Sequence, residues 1–436
     1  MHSLCMCAAM SAAAAAAGGM TEREILEGAD ARIAQHRTGS AELAVLDAEG
    51  RPLPAGTSLA IEQTRHAFLF GCNIFTLGDH KSPEANEAYA RQFAGLFNFA
   101  TLPFYWWSYE PQPGKPGEAR IEELARWCRD HRIVTKGHPL AWNYHDPGWL
   151  PDDPAGVMQH QMARIEREVR RFRELVRIWD VVNEATDSQR PELLKNAPKL
   201  TRAIREAGLE TFLRTAFRTA RAADPAAVLL INDYVVTPAY AEKVIRLLVD
   251  EQGRPLYDAI GIQSHQHGGA WTVEHTWEVC ERFAAFGKPL HFTETTFLSG
   301  EQGWGLAESR PGFRWASTPE GEQRQAEEAA RFYTVLFSHP AVEAITWWDF
   351  SDARAWQQAP AGLLRADMSP KPAYEALRGL IRDRWWTRAS AVVGPDGRAG
   401  FRGFFGDYRL TAGAGGPSGT FSFPKGTDGI IEVRLK

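Results

Sequence analysis

Between Phe68 and about residue 384, two apolar patterns alternate along the chain. Short, nearly unbroken apolar runs lie at 68–74, 97–104, 132–140, 177–183, 227–232, 258–263, 288–293 and 343–348. Runs of that length and density predict strands of the buried, parallel kind. Between and after them come amphipathic stretches near 84–96, 118–131, 152–176, 202–223, 238–252, 272–286, 320–337 and 371–384, which predict helices. In 118–131, for instance, Ile121, Leu124, Ala125 and Cys128 recur at the spacing of one core-facing stripe. Eight strand–helix repeats in series predict an α/β chain closed into a (β/α)8 TIM barrel rather than an open doubly wound sheet. No glycine-rich phosphate loop follows the first strand, which counts against a dinucleotide fold.

The flanks read differently. Residues 21–37 predict a short helix, and 41–64 alternate with period two around a Gly/Pro-rich turn, predicting a strand pair. Beyond Trp386 glycine becomes frequent and short β-like runs appear at 391–393, 408–411, 420–423 and 430–433, with no helical period. The expected organisation is a tail over 1–20 and a helix with strands over 21–66. A catalytic barrel follows over 67–386, and further strands over 387–436. The N- and C-terminal segments together would form a small β-sandwich-like module, either a cover for the barrel's edge or a polysaccharide-binding surface. Its aromatics (Phe401, Phe404, Phe405, Tyr408, Phe421 and Phe423) suit either role.

Composition narrows the function less than pattern does. A chain of 436 residues suits one barrel plus something smaller. The net charge of −5 gives no electrostatic case for nucleic acid or an anionic membrane as partner. No apolar run reaches the roughly 18 residues that a membrane span needs. The five cysteines are scattered and form neither a disulfide framework nor a metal spacing. The Ala-rich start carries no basic n-region, so a disordered tail is expected, with a cytoplasmic location favoured over export.

Two strand ends carry the candidate chemistry. Trp179-Asp180-Val181-Val182-Asn183-Glu184 ends one apolar run, and Pro289-Leu290-His291-Phe292-Thr293-Glu294 ends another. Paired carboxylates at barrel strand tips suit hydrolysis of a glycosidic bond, which needs a proton donor and a group that captures or stabilises the developing oxocarbenium ion. Glu184, emerging from an apolar strand beside an amide, suits the donor, since partial burial raises a carboxyl pKa. Glu294, between two threonines, suits the ionised nucleophile. The competing reading of Glu184 is a structural carboxylate paired with an arginine. The fifteen tryptophans are either core or, where they stand at strand tips, stacking surfaces for sugars. His265 and His267 lack an evident third ligand, so no metal and no cofactor are expected.

These motifs resemble those of family-10 glycoside hydrolases, the endo-1,4-β-xylanase family. The stretch at 179–184 is similar to that family's acid/base signature on the fourth barrel strand, with the nucleophile on the seventh. Further likeness runs through Gly137-His138-Pro139-Leu140-Ala141-Trp142, Asn232-Asp233-Tyr234, Gly261-Ile262-Gln263-Ser264-His265, Trp348 with Asp352 and Trp356, and Lys371-Pro372-Ala373-Tyr374, covering roughly 68–384. The resemblance implies that Glu184 is the acid/base and Glu294 the nucleophile, about 5–5.5 Å apart as in retaining enzymes. It further implies that Asn183 bonds the sugar 2-hydroxyl and that His265 keeps the nucleophile ionised. Trp142, Trp348 and Trp356 would wall the reacting subsite, with His138 and Gln263 in support.

The chain departs from the family in two places. After Phe97-Asn98-Phe99-Ala100-Thr101 the family's Glu, Asn and Lys sugar grips give way to Leu102-Pro103-Phe104-Tyr105-Trp106-Trp107. The family's histidine after the third-strand tryptophan is Asn143. Tyr105 and Asn143 are therefore expected in the altered glycone-side subsites. The function implied is retaining, endo-acting cleavage of β-1,4-linked xylan or xylo-oligosaccharides, with another β-linked glycan or glycosylated small molecule as alternative. A catalytically silent carbohydrate-binding barrel is the reading from a different class, but such a protein loses one of the two glutamates. A metal-dependent barrel hydrolase needs His and Asp ligands at strand tips that here offer mainly Trp, Asn and Glu.

Overall fold

The computed structural model describes residues 19–436. The expected disordered tail, with Cys5 and Cys7, falls almost entirely outside the described residues. Two strands, β1 (Thr38–Leu46) and β2 (Ser58–His66), precede eight that close into a parallel barrel. These are β3 (Leu69–Asn73), β4 (Phe99–Pro103), β5 (Val134–His138), β6 (Ile178–Asn183), β7 (Val228–Asp233), β8 (Ala259–His265), β9 (Leu290–Thr296) and β10 (Val342–Trp347). Sequential strands pair in order, and β10 closes on β3 through Ala344–Leu69 to Trp347–Cys72. The unbroken apolar runs arise because both faces are covered: every residue of β6 and β9 is buried. The (β/α)8 barrel read from the pattern is the observed fold.

Helix starts follow capping chemistry. Ser82, Asp153, Thr272 and Thr318 each accept a hydrogen bond from a first-turn amide, and Pro83, Pro154 and Pro319 occupy first-turn positions where no amide donor is needed. The stripe Ile121, Leu124, Ala125 and Cys128 is buried as expected. Three helical stretches are corrected. The stretch 202–223 is two helices, Pro198–Ala207 and Leu209–Ala223, broken at Gly208, whose φ of 82° lies outside the helical region. The stretch 238–252 ends its α-helix at Lys243 and passes through a short 3-10 turn, Ile245–Leu247. Likewise 21–37 is two short helices, Glu22–Glu27 and Ala29–His36, meeting at Gly28.

The terminal segments add β11 (Arg388–Val392), β12 (Arg398–Phe404), β13 (Gly406–Ala412), β14 (Ser418–Phe423) and β15 (Ile430–Arg434). They form two sheets, ordered β12-β1-β15 and β11-β2-β13-β14. β1 and β2 therefore do not pair with each other, contrary to the expected strand pair. Their period-two alternation marks the inner faces of two different sheets, and Leu43, Val45, Leu59 and Ile61 meet in one core with Tyr408, Phe421 and Phe423. β12 escaped the sequence reading because only Ala399, Phe401 and Gly403 face inward among arginines and glycines. Buried Arg37 bonds the carbonyls of Phe337, His339 and Val342. His66 packs among Phe70, Phe337, Trp386 and Phe404. The sheets thus join the barrel near the start of β3 and β10, leaving the C-terminal strand ends open.

Candidate active site

A cleft of about 880 Å³ lies over the C-terminal ends of the barrel strands and holds both glutamates. Glu184 follows β6 with φ of 57°, a left-handed conformation that costs a side-chain-bearing residue roughly 1–2 kcal/mol. Its amide bonds Asn232 O at 2.9 Å, which fixes the turn and aims the carboxyl into the cleft. Gln263 Nε2 donates to Glu184 Oε1 at 3.2 Å, and Arg190 Nη2 to Oε2 at 2.8 Å.

Glu294 lies within β9 rather than beyond it. Its Oε1 accepts from Asn232 Nδ2 at 2.9 Å, and its Oε2 meets His265 Nε2 at 3.1 Å. His138 Nε2 stands 4.0 Å from Oε1. Burial by itself would push this carboxyl up, but His138, the bond from His265 and the Lys136 charge outweigh it and hold the pKa below the ordinary value. The threonines flanking Glu294 are not its partners: Thr293 donates to Asn232 Oδ1, and Thr295 pairs with Ser264.

Under the floor, Asp180 Oδ2 is shared by Lys136 Nζ at 2.6 Å and His138 Nδ1 at 2.7 Å. Burial raises the Asp180 carboxyl, yet Lys136 and His138 reverse this and the net shift is downward. An ionised Asp180 can only accept, so His138 Nδ1 donates to it. Asn183 Oδ1 accepts from Asn232 Nδ2 at 2.8 Å and Gln263 Nε2 at 3.3 Å. Its Nδ2 is buried with no partner among the described residues, a donor left over beside the carboxylates.

Aromatic rings form the walls. On the β4 side Tyr105 lies 5.2 Å from Trp107, and Trp142 stacks on Tyr144 at 4.3 Å. The cleft is also lined by Trp348, Trp356 and Trp304, the last stacked on His267 at 4.6 Å. Tyr105, His138, Trp142, Gln263, His265, Trp348 and Trp356 all line the cleft with Glu184 and Glu294. Asn143 does not. Its buried amide is turned to Ser188 O and Thr201 Oγ1, both at 2.8 Å, which corrects its expected substrate role.

The model of Glycosyl hydrolase family 10 matches residues 74–379. The chain belongs to glycosyl hydrolase family 10. It is a glycoside hydrolase. Among relatives of this family-10 chain is the anti-sigma-I factor RsgI6 of Acetivibrio thermocellus, 24% identical over 88% of this chain and 46% of its own length. Endo-1,4-beta-xylanase B of Thermotoga neapolitana is 27% identical, over 73% of this chain and 88% of its own length. The chain thus spans about half of the first relative and most of the second. In structure it resembles xylanase 10B from Thermotoga petrophila RKU-1 in complex with xylobiose, with a TM-score of 0.59 and 24% identity, covering 73% of this chain and 95% of that one.

Several residues of this family-10 site escaped the sequence reading. Asn232 links both glutamates, and its place at a strand tip in Asn232-Asp233-Tyr234 was the available signal. Lys136 and Asp180 sit in apolar strands, where a buried charge is itself a signal. Arg190, Trp304 and Asp349 lie in segments without periodicity, and only the fold brings them to the cleft.

Proposed function

We propose that this chain is a retaining, endo-acting glycosidase that cleaves β-1,4-linked xylan or xylo-oligosaccharides. The observation that carries the reading is the placing of Glu294 between His138, Asn232 and His265, with Glu184 across the cleft on Gln263. Glu184 gives its proton to the leaving oxygen as the glycosidic C–O bond breaks, and Glu294 Oε forms an ester bond to the anomeric carbon. A water then attacks that carbon, losing its proton to Glu184, and the ester bond breaks to return Glu294 as carboxylate. Asn183 Nδ2, which has no partner among the described residues, bonds the sugar hydroxyl next to the reacting carbon. His265 and His138 hold Glu294 ionised, Gln263 positions Glu184, and Trp142, Trp348 and Trp356 stack on sugar faces. Tyr105 replaces a polar grip with a ring, and Asn143 takes no part. Xylan enters from the names of the relatives, several of which are endo-1,4-beta-xylanases. A second reading, the same chemistry on another β-linked glycan or glycosylated small molecule, is favoured by the aromatic segment after β4.

Product analysis on linear xylan, xylohexaose and aryl β-glycosides, with Glu294→Ala as control, tests both. Short xylo-oligosaccharides from the wild type and none from the variant are expected. Variant-sensitive cleavage of aryl glycosides alone would move the substrate to the second reading. Wild type and variant equally inert would remove the catalytic proposal.

A further inference from the structure

Arg190 is in the wrong place for a simple acid/base catalyst. A proton donor's carboxyl must be free to meet the leaving oxygen when substrate arrives, yet Arg190 Nη2 already holds Glu184 Oε2 at 2.8 Å. Among the described residues nothing else grips the arginine firmly. Its other contacts are with Tyr234, whose ring lies 5.6 Å from the guanidinium carbon and whose hydroxyl is 3.5 Å from Nη1. That hydroxyl is itself turned to Asp187 Oδ2 at 2.8 Å. Arg190 keeps 23% of its side chain exposed and lines the cleft. It lines the cleft with Tyr234, Val236 and Trp271, on the segments that follow β6, β7 and β8. Tyr105 and Trp107 instead follow β4, where the altered glycone-side subsites are expected, so we assign Arg190 to the leaving-group side. The other cleft-lining guanidinium, Arg354, is paired with Asp79 at the surface.

We propose that Arg190 is a recognition group for a carboxylate on the leaving-group portion of the substrate, and that engaging it frees Glu184 from its ion pair. The proposal rests on Glu184 being the proton donor of the reading above. A planar guanidinium binds a carboxylate through two parallel hydrogen bonds, and a substrate carboxylate offers it the same chemistry as Glu184 does. Once Arg190 turns to the substrate, Glu184 Oε2 is released from its ion pair and is free to meet the leaving oxygen. Tyr234 and Trp271 supply flat apolar faces beside the guanidinium, so the fitting class is an acidic leaving group, such as a uronic acid or an aromatic acid. Glu184 and the incoming carboxylate compete for one guanidinium. That competition separates this role from a merely structural ion pair.

The test is calorimetric binding of 4-hydroxybenzoate and its neutral isostere 4-hydroxybenzamide to the full chain. The wild type is expected to prefer the acid by about tenfold. Glu184→Gln removes the internal competitor and is expected to tighten the acid, but not the amide, by about a further tenfold. Arg190→Gln is expected to abolish the preference and Arg190→Lys to restore part of it, with thermal unfolding showing each variant folded. Equal binding of acid and amide in wild type and Glu184→Gln overturns the proposal, as does a preference that survives Arg190→Gln. These readouts need no turnover. Glycan hydrolysis without a preference for the acid defeats the anion site alone, whereas a preference without hydrolysis of any glycan keeps the anion site and defeats the hydrolase reading.

Discussion

At Glu294 two opposing effects meet, and the side chains of neighbouring strands decide between them. Burial favours the neutral acid, while His138 and Lys136 from β5 and His265 from β8 favour the carboxylate and win. The nucleophile therefore stays ionised above its lowered pKa and is lost only as pH falls through it. Replacing His265 by Gln keeps a hydrogen-bond donor but removes any positive charge, so the acid limb of kcat/KM is expected to move to higher pH. A pH–rate profile reads this directly; a slower variant with an unmoved acid limb would mean that His265 only positions the carboxylate. Asp349 is the opposite case. One oxygen accepts from Trp356 N at 3.1 Å and the other is buried without a partner among the described residues. Burial, aided by Asp352, pushes this carboxyl up to about 7, although the Trp356 amide and His265 pull it down. The folded chain then keeps a proton that the unfolded chain, with an ordinary value of 3.8, has released. The associated stability is full below about pH 4 and is lost as pH rises through about 7, an effect of roughly 4 kcal/mol. Asp349→Asn keeps the shape and drops the titration, so its advantage over wild type in urea unfolding is expected to grow from pH 5 to pH 8. A constant difference would mean that Asp349 is ionised throughout.

Elements positioned these residues, and most elements were legible. The eight barrel strands appear within two or three residues of the apolar runs that predict them, because a strand buried on both faces has no polar alternation to blur its ends. Glu184 and Glu294 were legible for the same reason: a carboxylate is conspicuous at the end of an apolar run. What surrounds them was not. Arg190 and Asp349 acquire meaning only from partners on other strands and loops, and the helix break at Gly208 was hidden by an apolar stripe that continues through it. Close packing between elements was also invisible. Gly137 of β5 faces the ring of Trp179 on β6, and a Cβ there would lie 2.2 Å from Trp179 Cζ3. Trp179 is fully buried and packs edge-on to Phe104 at 4.9 Å, so it has little room to retreat. Gly137→Ala is expected to cost roughly 1–3 kcal/mol by overpacking, read as a lower urea midpoint with an unchanged slope. An unchanged midpoint would show that the β5–β6 contact is loose enough to absorb a methyl group.

For the whole molecule, the informative joint is between the barrel and the terminal sheets. The barrel closes its own ladders and has no need of residues 387–436 for strand pairing. β1 and β2 do need them: β1 is paired on one side with β12 and on the other with β15, and β2 lies between β11 and β13. Removing 387–436 would leave both edges of both strands open and uncover Leu43, Val45, Leu59 and Ile61. Unpaired edges next to exposed apolar side chains recruit other chains. Arg37 and His66 would still tether these strands to the barrel, so they could not simply drift away from it. A chain ending at residue 386 is therefore expected to be recovered mainly as aggregates, while one lacking residues 1–66 as well sheds both sticky strands and is expected to be more soluble. Size-exclusion chromatography of the two truncations decides the matter. If the chain ending at 386 is monomeric and unfolds at the full-length temperature, then β1 and β2 find other partners on the barrel surface and the two sheets contribute little to its stability. If the doubly truncated chain aggregates as well, the Arg37 bonds to the carbonyls of Phe337, His339 and Val342 are part of what keeps the barrel itself closed.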